Sequence, residues 1–169
     1  NPFSKNQDFL RAKKLLINTI KKKGLVLIYG DYDVDGVSST AILVNYFNFL
    51  KHPNYYIIPN RFSDGYGPNL SLIKKNLKKD TEVIIFVDCG SNSKEIINFL
   101  KKKNIEVLVI DHHHINDKLD SDLIIINPMK DPKEYMQQNI CASTLTFYLI
   151  ILLNEELKSK VNVYDFLFF

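Results

Sequence analysis

The stretch LVLIYGDYDVDGVSST, residues 25–40, decides the fold, because a run of apolar residues ends there in three alternating aspartates. The apolar part predicts a buried β-strand over residues 25–29. Asp31, Asp33 and Asp35 then place three like charges close together, which raises their pKa values and weakens a fold unless something compensates. A metal ion, a cluster of Arg or Lys, or plain solvation in a loop would each provide that compensation.

Four further runs rich in Val and Ile follow this strand, and helical patterns alternate with the five runs. The predicted strands cover residues 25–29, 55–59, 83–87, 106–110 and 123–127. The predicted helices cover residues 8–22, 38–50, 69–78, 93–103 and 139–157. Strands that are apolar on both faces and alternate with helices are typical of buried parallel sheets. The sequence therefore predicts an α/β fold with a five-stranded parallel sheet flanked by helices.

The composition restricts the class of protein. Of the 169 residues, 46% are hydrophobic and 24% are charged, and this balance indicates a globular domain rather than a disordered chain. The formal net charge of +3 allows a nucleic-acid partner without arguing for one. Cys89 and Cys141 are too few for a disulfide framework. No apolar segment is long enough to cross a membrane, so we expect no membrane partner and a cytoplasmic location.

The two ends of the chain carry no obvious boundary signal. The first residue is Asn1, and the last residues form the apolar run FLFF. We therefore expect residues 1–169 to be a single catalytic domain of a longer, multidomain protein.

Carboxylates and imidazoles follow three of the predicted strands. They are Asp31, Asp33 and Asp35 after the first strand, Asp88 after the third, and Asp111, His112, His113 and His114 after the fourth. Alone, Asp88 would be a helix cap and His114 a surface residue. Because the carboxyl ends of parallel strands meet at one edge of a sheet, we expect these groups to converge. Asp and His without paired Cys suit Mn²⁺ or Mg²⁺, and several carboxylates favour two ions, a common device for hydrolysing phosphoesters.

Two loops favour a substrate that contains phosphate. Gly36 allows a tight turn after Asp35, and the hydroxyl residues 38–40 lie at the start of a helix, where backbone amides favour anions. Arg61 lies in the glycine-containing stretch PNRFSDGYGPN, residues 59–69, where it is placed to bind a backbone phosphate. An ordinary turn-rich connection would also explain that loop.

Three motifs in order resemble a known family. GDYDVDGVSSTAIL (30–43), VDCG (87–90) and DHH (111–113) resemble motifs I, II and III of the DHH phosphoesterases. With IPNRFSDGYGPN (58–69), the chain is most similar to the single-strand-specific exonucleases of this family, in their alphaproteobacterial form. The resemblance implies a two-metal enzyme that hydrolyses single-stranded DNA from 5′ to 3′ in repair and recombination. It also implies partners such as a single-strand-binding protein or a helicase, bound through domains outside this chain.

The resemblance also implies roles for particular residues. The metal ligands would be Asp33, Asp35, Asp88 (bridging two ions) and His112, with Asp31 as a supporting carboxylate or further ligand. His113 would contact the scissile phosphate and Asp111 would orient the histidine pair. Arg61 and Ser39 would contact phosphate. A fourth family motif, which supplies another metal-binding aspartate, would fall beyond Phe169, so we expect an incomplete metal site and weak activity from this chain alone.

Two alternatives stay open at this point. One is a DHH phosphodiesterase for short oligonucleotides or cyclic dinucleotides, although those relatives usually carry a histidine where this chain has Tyr29. The other is an inactive DHH-like module that binds nucleic acid or protein. The retention of Asp33, Asp35, Asp88 and His112 argues against an inactive module, because a degenerate site should have lost at least one of them.

Overall fold

The computed structural model describes residues 1–116, 120–130, 132–135 and 139–167, and five strands form one sheet in it. The strands are β1 (Leu25–Gly30), β2 (Asn54–Ile57), β3 (Thr81–Val87), β4 (Glu106–Ile110) and β5 (Ile124–Ile126). Their order is β2-β1-β3-β4-β5, and every neighbouring pair is parallel. The predicted five-stranded parallel sheet is thus confirmed.

Helices cover both faces of this sheet. They are α1 (Gln7–Lys22), α2 (Val34–Phe49), α3 (Leu70–Asn76), α4 (Lys94–Lys102) and α5 (Ala142–Leu157), followed by a 3₁₀ turn at Val163–Leu167. Helices α1, α2 and α5 share one apolar core with the sheet, and α3 and α4 share the other. Along β1, Val26 and Ile28 face the first core while Leu27 and Tyr29 face the second. This two-residue alternation explains why the strand is apolar throughout.

Helix α2 begins four residues earlier than the sequence predicted. Asp33 is its N-cap, and the carboxylate accepts a hydrogen bond from the Gly36 amide at 2.9 Å. The aspartate cap therefore brings residues 34–37, predicted to be a loop, into the first turn of the helix. Gly36 is needed there because a Cβ would lie 2.5 Å from the Asp31 carbonyl oxygen.

The strand order reverses between β1 and β3. The chain moves from β1 outward to β2, then returns past β1 to β3 and continues to β4 and β5. In open parallel sheets such a reversal creates a crevice at the carboxyl ends of the strands. The sequences that follow β1, β3 and β4 carry the predicted site residues, so the topology directs them to this crevice. None of the described helices is long and apolar enough to span a membrane.

Candidate metal-binding active site

Asp88, His112 and His113 form a cluster of potential metal ligands at the ends of β3 and β4. Their ligand atoms all lie within 4.8 Å of one another. His112 Nε2 is 3.1 Å from Asp88 Oδ1, and His113 Nδ1 is 4.0 Å from the same oxygen. Asp88 has a φ of 58°, in the left-handed region that a non-glycine residue rarely occupies. Such backbone strain is common at functional sites, where the surrounding structure holds a side chain in a required position.

The electrostatics of Asp88 fit a cation. The residue is 1% exposed, and neither of its buried carboxylate oxygens has a hydrogen-bond partner among the described residues. Burial raises the pKa of Asp88 to about 6; the contact with His112 opposes this rise, and the nearby Asp35 and Asp33 carboxylates add to it. A buried carboxylate without donors is costly to a fold. A divalent ion would supply the positive charge and the ligand bonds that the protein does not.

Asp33 and Asp35 come to the cluster from the first turn of α2. Asp35 is held by the start of α5, where Ala142 N donates to Oδ2 at 2.7 Å and Ser143 N donates to Oδ1 at 2.8 Å. Its Oδ2 also lies 3.7 Å from His112 Nε2. Burial opposes ionisation of Asp33, but the Gly36 amide and further hydrogen bonds outweigh it and lower the pKa. Both carboxylates are therefore fixed beside the cluster.

Asp31 lies deeper, with 1% of its surface exposed. Its Oδ1 accepts a hydrogen bond from the Tyr32 amide at 2.6 Å, whereas Oδ2 has no hydrogen-bond partner among the described residues. Burial raises its pKa, despite the amide of Tyr32. Asp31 thus resembles Asp88 in carrying an unpaired buried oxygen, which suits a supporting carboxylate or a further ligand.

Asp111 and His113 form a hydrogen-bonded pair. His113 Nδ1 donates to Asp111 Oδ1 at 2.7 Å, and the amides of Ser91, His112 and His113 also donate to this carboxylate. Burial acts against ionisation of Asp111, but these hydrogen bonds prevail and lower its pKa to about 2. The hydrogen bond to Asp111 raises the pKa of His113 to about 9. His113 is therefore an imidazolium at neutral pH, and its Nε2 lies on the side away from Asp111.

His112 and His113 have different surroundings, which distinguishes their chemistry. The close contact with the Asp88 carboxylate raises the pKa of His112. Its Nε2 faces the two carboxylates Asp88 and Asp35. In His113, the nitrogen nearest to Asp88 is the one already bonded to Asp111. His112 is thus better placed to bind a metal, and His113 is better placed to contact a substrate phosphate.

Ser39, a predicted phosphate contact, lies within α2. Its side chain is fully buried, and Oγ donates to the Asp35 carbonyl oxygen at 2.7 Å. The earlier start of α2 places Ser39 inside the helix, with its side chain toward the protein interior. Phosphate binding by Ser39 stays a prediction. His114 is exposed, as expected for a surface residue.

Arg61 lies on the loop after β2, outside the cluster. Its guanidinium carbon is 5.7 Å from the centre of the Tyr32 ring. The Tyr32 ring in turn packs against Tyr66 at a centroid distance of 6.4 Å. The loop thus approaches the site, and phosphate binding by Arg61 stays a prediction.

Two tyrosines at the site were not predicted to have a role. Tyr29, at the end of β1, is buried and hydrogen-bonds through its hydroxyl to Gly67 O at 3.4 Å and Asn69 N at 3.1 Å. Burial raises its pKa to about 12. Tyr66 OH lies 3.1 Å from His113 Nε2. The position of Tyr29 within an apolar strand gave no sign of its contact with the loop, and Tyr66 was marked only by its flanking glycines.

The fold and the site together define a class of protein. It is an α/β domain with carboxylate and imidazole groups gathered at the switch point of a parallel sheet, an arrangement suited to hard divalent ions and to phosphoester chemistry.

Comparison with known proteins identifies the family within this class. The model of the DHH family, N-terminal domain, matches residues 25–168, and the chain belongs to that family. The single-stranded-DNA-specific exonuclease RecJ of Salmonella typhimurium is 32% identical over 150 residues, which cover 88% of this chain and 26% of the relative. RecJ of Escherichia coli is 30% identical over 151 residues, 89% of this chain and 26% of the relative.

Solved structures show the same likeness. A crystal structure of exonuclease RecJ bound to manganese matches with a TM-score of 0.78 and 28% identity, over 89% of this chain and 38% of that chain. The chain spans about a quarter of the length of the curated relatives named above.

Proposed function

We propose that this chain carries the catalytic site of a Mn²⁺- or Mg²⁺-dependent exonuclease that hydrolyses single-stranded DNA from 5′ to 3′. The observation that carries the proposal is Asp88, a buried carboxylate without hydrogen-bond donors, placed 3.1 Å from His112 and beside two further carboxylates. Similarity to RecJ, whose name describes action on single-stranded DNA, supports the substrate. Similarity to a manganese-bound RecJ structure supports the metal.

The residues that would hold the metal are Asp33, Asp35, Asp88 and His112, with Asp31 as a supporting carboxylate or further ligand. When bound, two such ions would polarise the phosphate and lower the pKa of a water molecule. Hydrogen bonds hold Asp33 and Asp35 in place from α2 and α5, so little reorganisation is needed on binding. Preorganised charge of this kind is a large contributor to catalysis.

His113 and Asp111 would act on the substrate. The imidazolium of His113 would donate from Nε2, which faces the Tyr66 hydroxyl at 3.1 Å in this structure, to a non-bridging oxygen of the scissile phosphate, where negative charge increases during the reaction. Asp111 fixes the ring through Nδ1 and keeps it protonated. Arg61 contacts a neighbouring phosphate from the loop after β2. In this proposal the enzyme acts in DNA repair and recombination in the cytoplasm, with a single-strand-binding protein or a helicase as partner.

Degradation of a 5′-labelled single strand tests this function. From this chain alone we expect weak hydrolysis with Mn²⁺ or Mg²⁺, none in excess EDTA, and release of label ahead of internal nucleotides. Asp88→Asn should lower the rate by at least about 100-fold, the scale on which loss of one preorganised charge acts. Asp122→Asn is the matched control, because that carboxylate is exposed and pairs with Lys101. Hydrolysis that persists in EDTA, or equal rates for the two variants, would overturn the proposal.

A further inference from the structure

A cleft of about 450 Å³ lies beside His113, on the side of the cluster toward Tyr66. Its walls are residues 66–68 of the loop after β2, residues 89–93 after β3, and part of the segment 111–116 after β4. The volume is in the range of pockets that bind small organic groups. None of the residues assigned to the metal lines this cleft. Its occupant is therefore expected to be a part of the substrate other than the metal-bound phosphate.

Tyr66 forms an aromatic wall of the cleft and is unusually exposed for a fixed residue. It is 68% exposed, yet its hydroxyl hydrogen-bonds to His113 Nε2 and its ring packs edge-on against Tyr32. The Tyr29 hydroxyl holds the adjacent backbone through Gly67 O and Asn69 N. A ring that is held in place while exposed to solvent next to a catalytic group is suited to stacking with another flat group.

The remaining walls are polar, and His113 is the charged group where the cleft meets the metal cluster. Asn92 links the wall after β3 to the wall after β4: its Nδ2 donates to the His114 carbonyl, and its Oδ1 accepts from the Asn116 amide. Asp111 is the single carboxylate among the described lining residues, and it is 1% exposed and satisfied by its own hydrogen bonds. Apart from the imidazolium of His113, which the proposed function assigns to the phosphate, the cleft offers a flat apolar surface and polar groups of Ser, Asn and the backbone, which match a nucleobase.

We propose that this cleft takes one unpaired nucleobase of the strand being cleaved, stacked on Tyr66, and that this contact makes the site selective for single strands. The inference rests on the proposed function and deepens it. A base within a duplex is stacked and paired, so it enters such a cleft only after unpairing, which costs a few kcal/mol. An unpaired base stacks on an aromatic ring without this cost, whatever its identity.

Fluorescence of 2-aminopurine tests the cleft without relying on catalysis. The probe is a single-stranded oligonucleotide with 2-aminopurine at each of the first three 5′ positions in turn, titrated with the protein in EDTA so that no cleavage occurs. Stacking on Tyr66 should quench the probe at one of these positions. Tyr66→Ala should abolish that quenching and weaken binding by roughly tenfold, the scale of one base–aromatic stack.

Two variants separate stacking from other effects. Tyr66→Phe keeps the ring but loses the hydroxyl that contacts His113, so it should quench like wild type. Phe62→Ala removes a ring that is 95% exposed on the same loop and does not line the cleft, so it should also quench like wild type. The proposal is overturned if wild type does not quench, if Tyr66→Ala still does, or if Phe62→Ala loses quenching equally.

The nuclease assay distinguishes this inference from the proposed function. Quenching that depends on Tyr66, in a protein that does not hydrolyse DNA with Mn²⁺, would support the base cleft and reject the nuclease. Metal-dependent hydrolysis without such quenching would support the nuclease and reject the base cleft. If both proposals hold, wild type should hydrolyse a strand with a normal 5′ nucleotide faster than a strand with an abasic 5′ nucleotide. Tyr66→Ala should lose most of this difference in rate, and Phe62→Ala should keep it.

Discussion

At the scale of single residues, the fold buries carboxylates of this site although burial disfavours their ionised form. Asp31 and Asp88 are both buried, and each carries a carboxylate oxygen without a hydrogen-bond partner among the described residues. The sequence predicted that such residues would converge, because their place after three strands was visible. It did not predict the burial of Ser39, because a serine four residues after Asp35 in a helix bonds back to that carbonyl. The start of α2 had to be known before that bond could be predicted.

His52 permits a prediction at the same scale, away from the site. The ring is buried against Phe47, and its Nε2 has no hydrogen-bond partner among the described residues. Burial lowers its pKa, although a hydrogen bond with the backbone of Gly24 and the charge of Glu82 oppose this. The unfolded chain then binds more protons below about pH 6.5, so the stabilising effect of neutral His52 is lost as the pH falls. His52→Gln should be less stable than wild type at pH 7.5, by a margin that shrinks toward pH 5.

Urea denaturation at both pH values measures that margin. Comparison with wild type is required because His112 and His113, with raised pKa values, contribute a pH dependence of the opposite sign. The stabilisation from such groups is present at low pH and is lost as the pH rises through their folded-state pKa values. A margin that stays constant or grows toward pH 5 would show that His52 does not titrate as its burial requires.

At the scale of elements, one helix is capped by a side chain of another. Cys141 occupies the N-cap position of α5 but makes no side-chain cap hydrogen bond. Asp35, 107 and 108 residues earlier in the chain, accepts from the first two amides of the helix instead. Sequence patterns detect caps that are local, so they predicted the helix but placed its start at residue 139 instead of Ala142. The link between Asp35 and α5 is visible only in the folded chain.

This cap predicts a stability effect that does not depend on metal. In EDTA, Asp35→Ala should lower the free energy of unfolding by about 1–2 kcal/mol, the usual cost of losing a helix cap. Asp35→Asn should lose less, because its amide oxygen still accepts one of the two hydrogen bonds. Thermal and urea denaturation would measure both variants. Equal stability of Asp35→Ala and wild type would contradict the prediction and show that relief of repulsion with Asp88 cancels the loss of the cap.

At the scale of the whole molecule, topology rather than local pattern assembles the site. The sequence predicted five parallel strands, and it placed motif residues after the first, third and fourth. It did not predict that β1 and β3 would be neighbours with β2 outside them. That order is set by how the helices pack on both faces, which involves contacts between distant parts of the chain. The crevice between β1 and β3 then gathers Asp33, Asp35 and Asp88 in one place.

Because these carboxylates lie close together, we expect the domain to be less stable without bound metal than with it. The pKa of Asp88 is raised to about 6, so its ionised form destabilises the folded state at pH 8, by at most about 3 kcal/mol at 1.36 kcal/mol for each pKa unit. Asp88→Asn should therefore be at least as stable as wild type in EDTA at that pH. Mn²⁺ at 100 times its Kd should stabilise wild type by about 2.7 kcal/mol, which raises Tm by roughly 5–10 °C for a domain of this size.

Thermal denaturation at pH 8, with EDTA and with increasing Mn²⁺, measures both effects in one series. Asp88→Asn should lose most of the rise in Tm with Mn²⁺, because the ion then has one fewer negative ligand in a buried position. Asp122→Asn should keep it, since that exposed carboxylate precedes β5 and pairs with Lys101 near the end of α4, away from the carboxyl ends of the strands. If Mn²⁺ raised the Tm of Asp88→Asn as much as that of wild type, the ion would bind elsewhere. In that case the unpaired oxygens of Asp88 would need an explanation other than a metal.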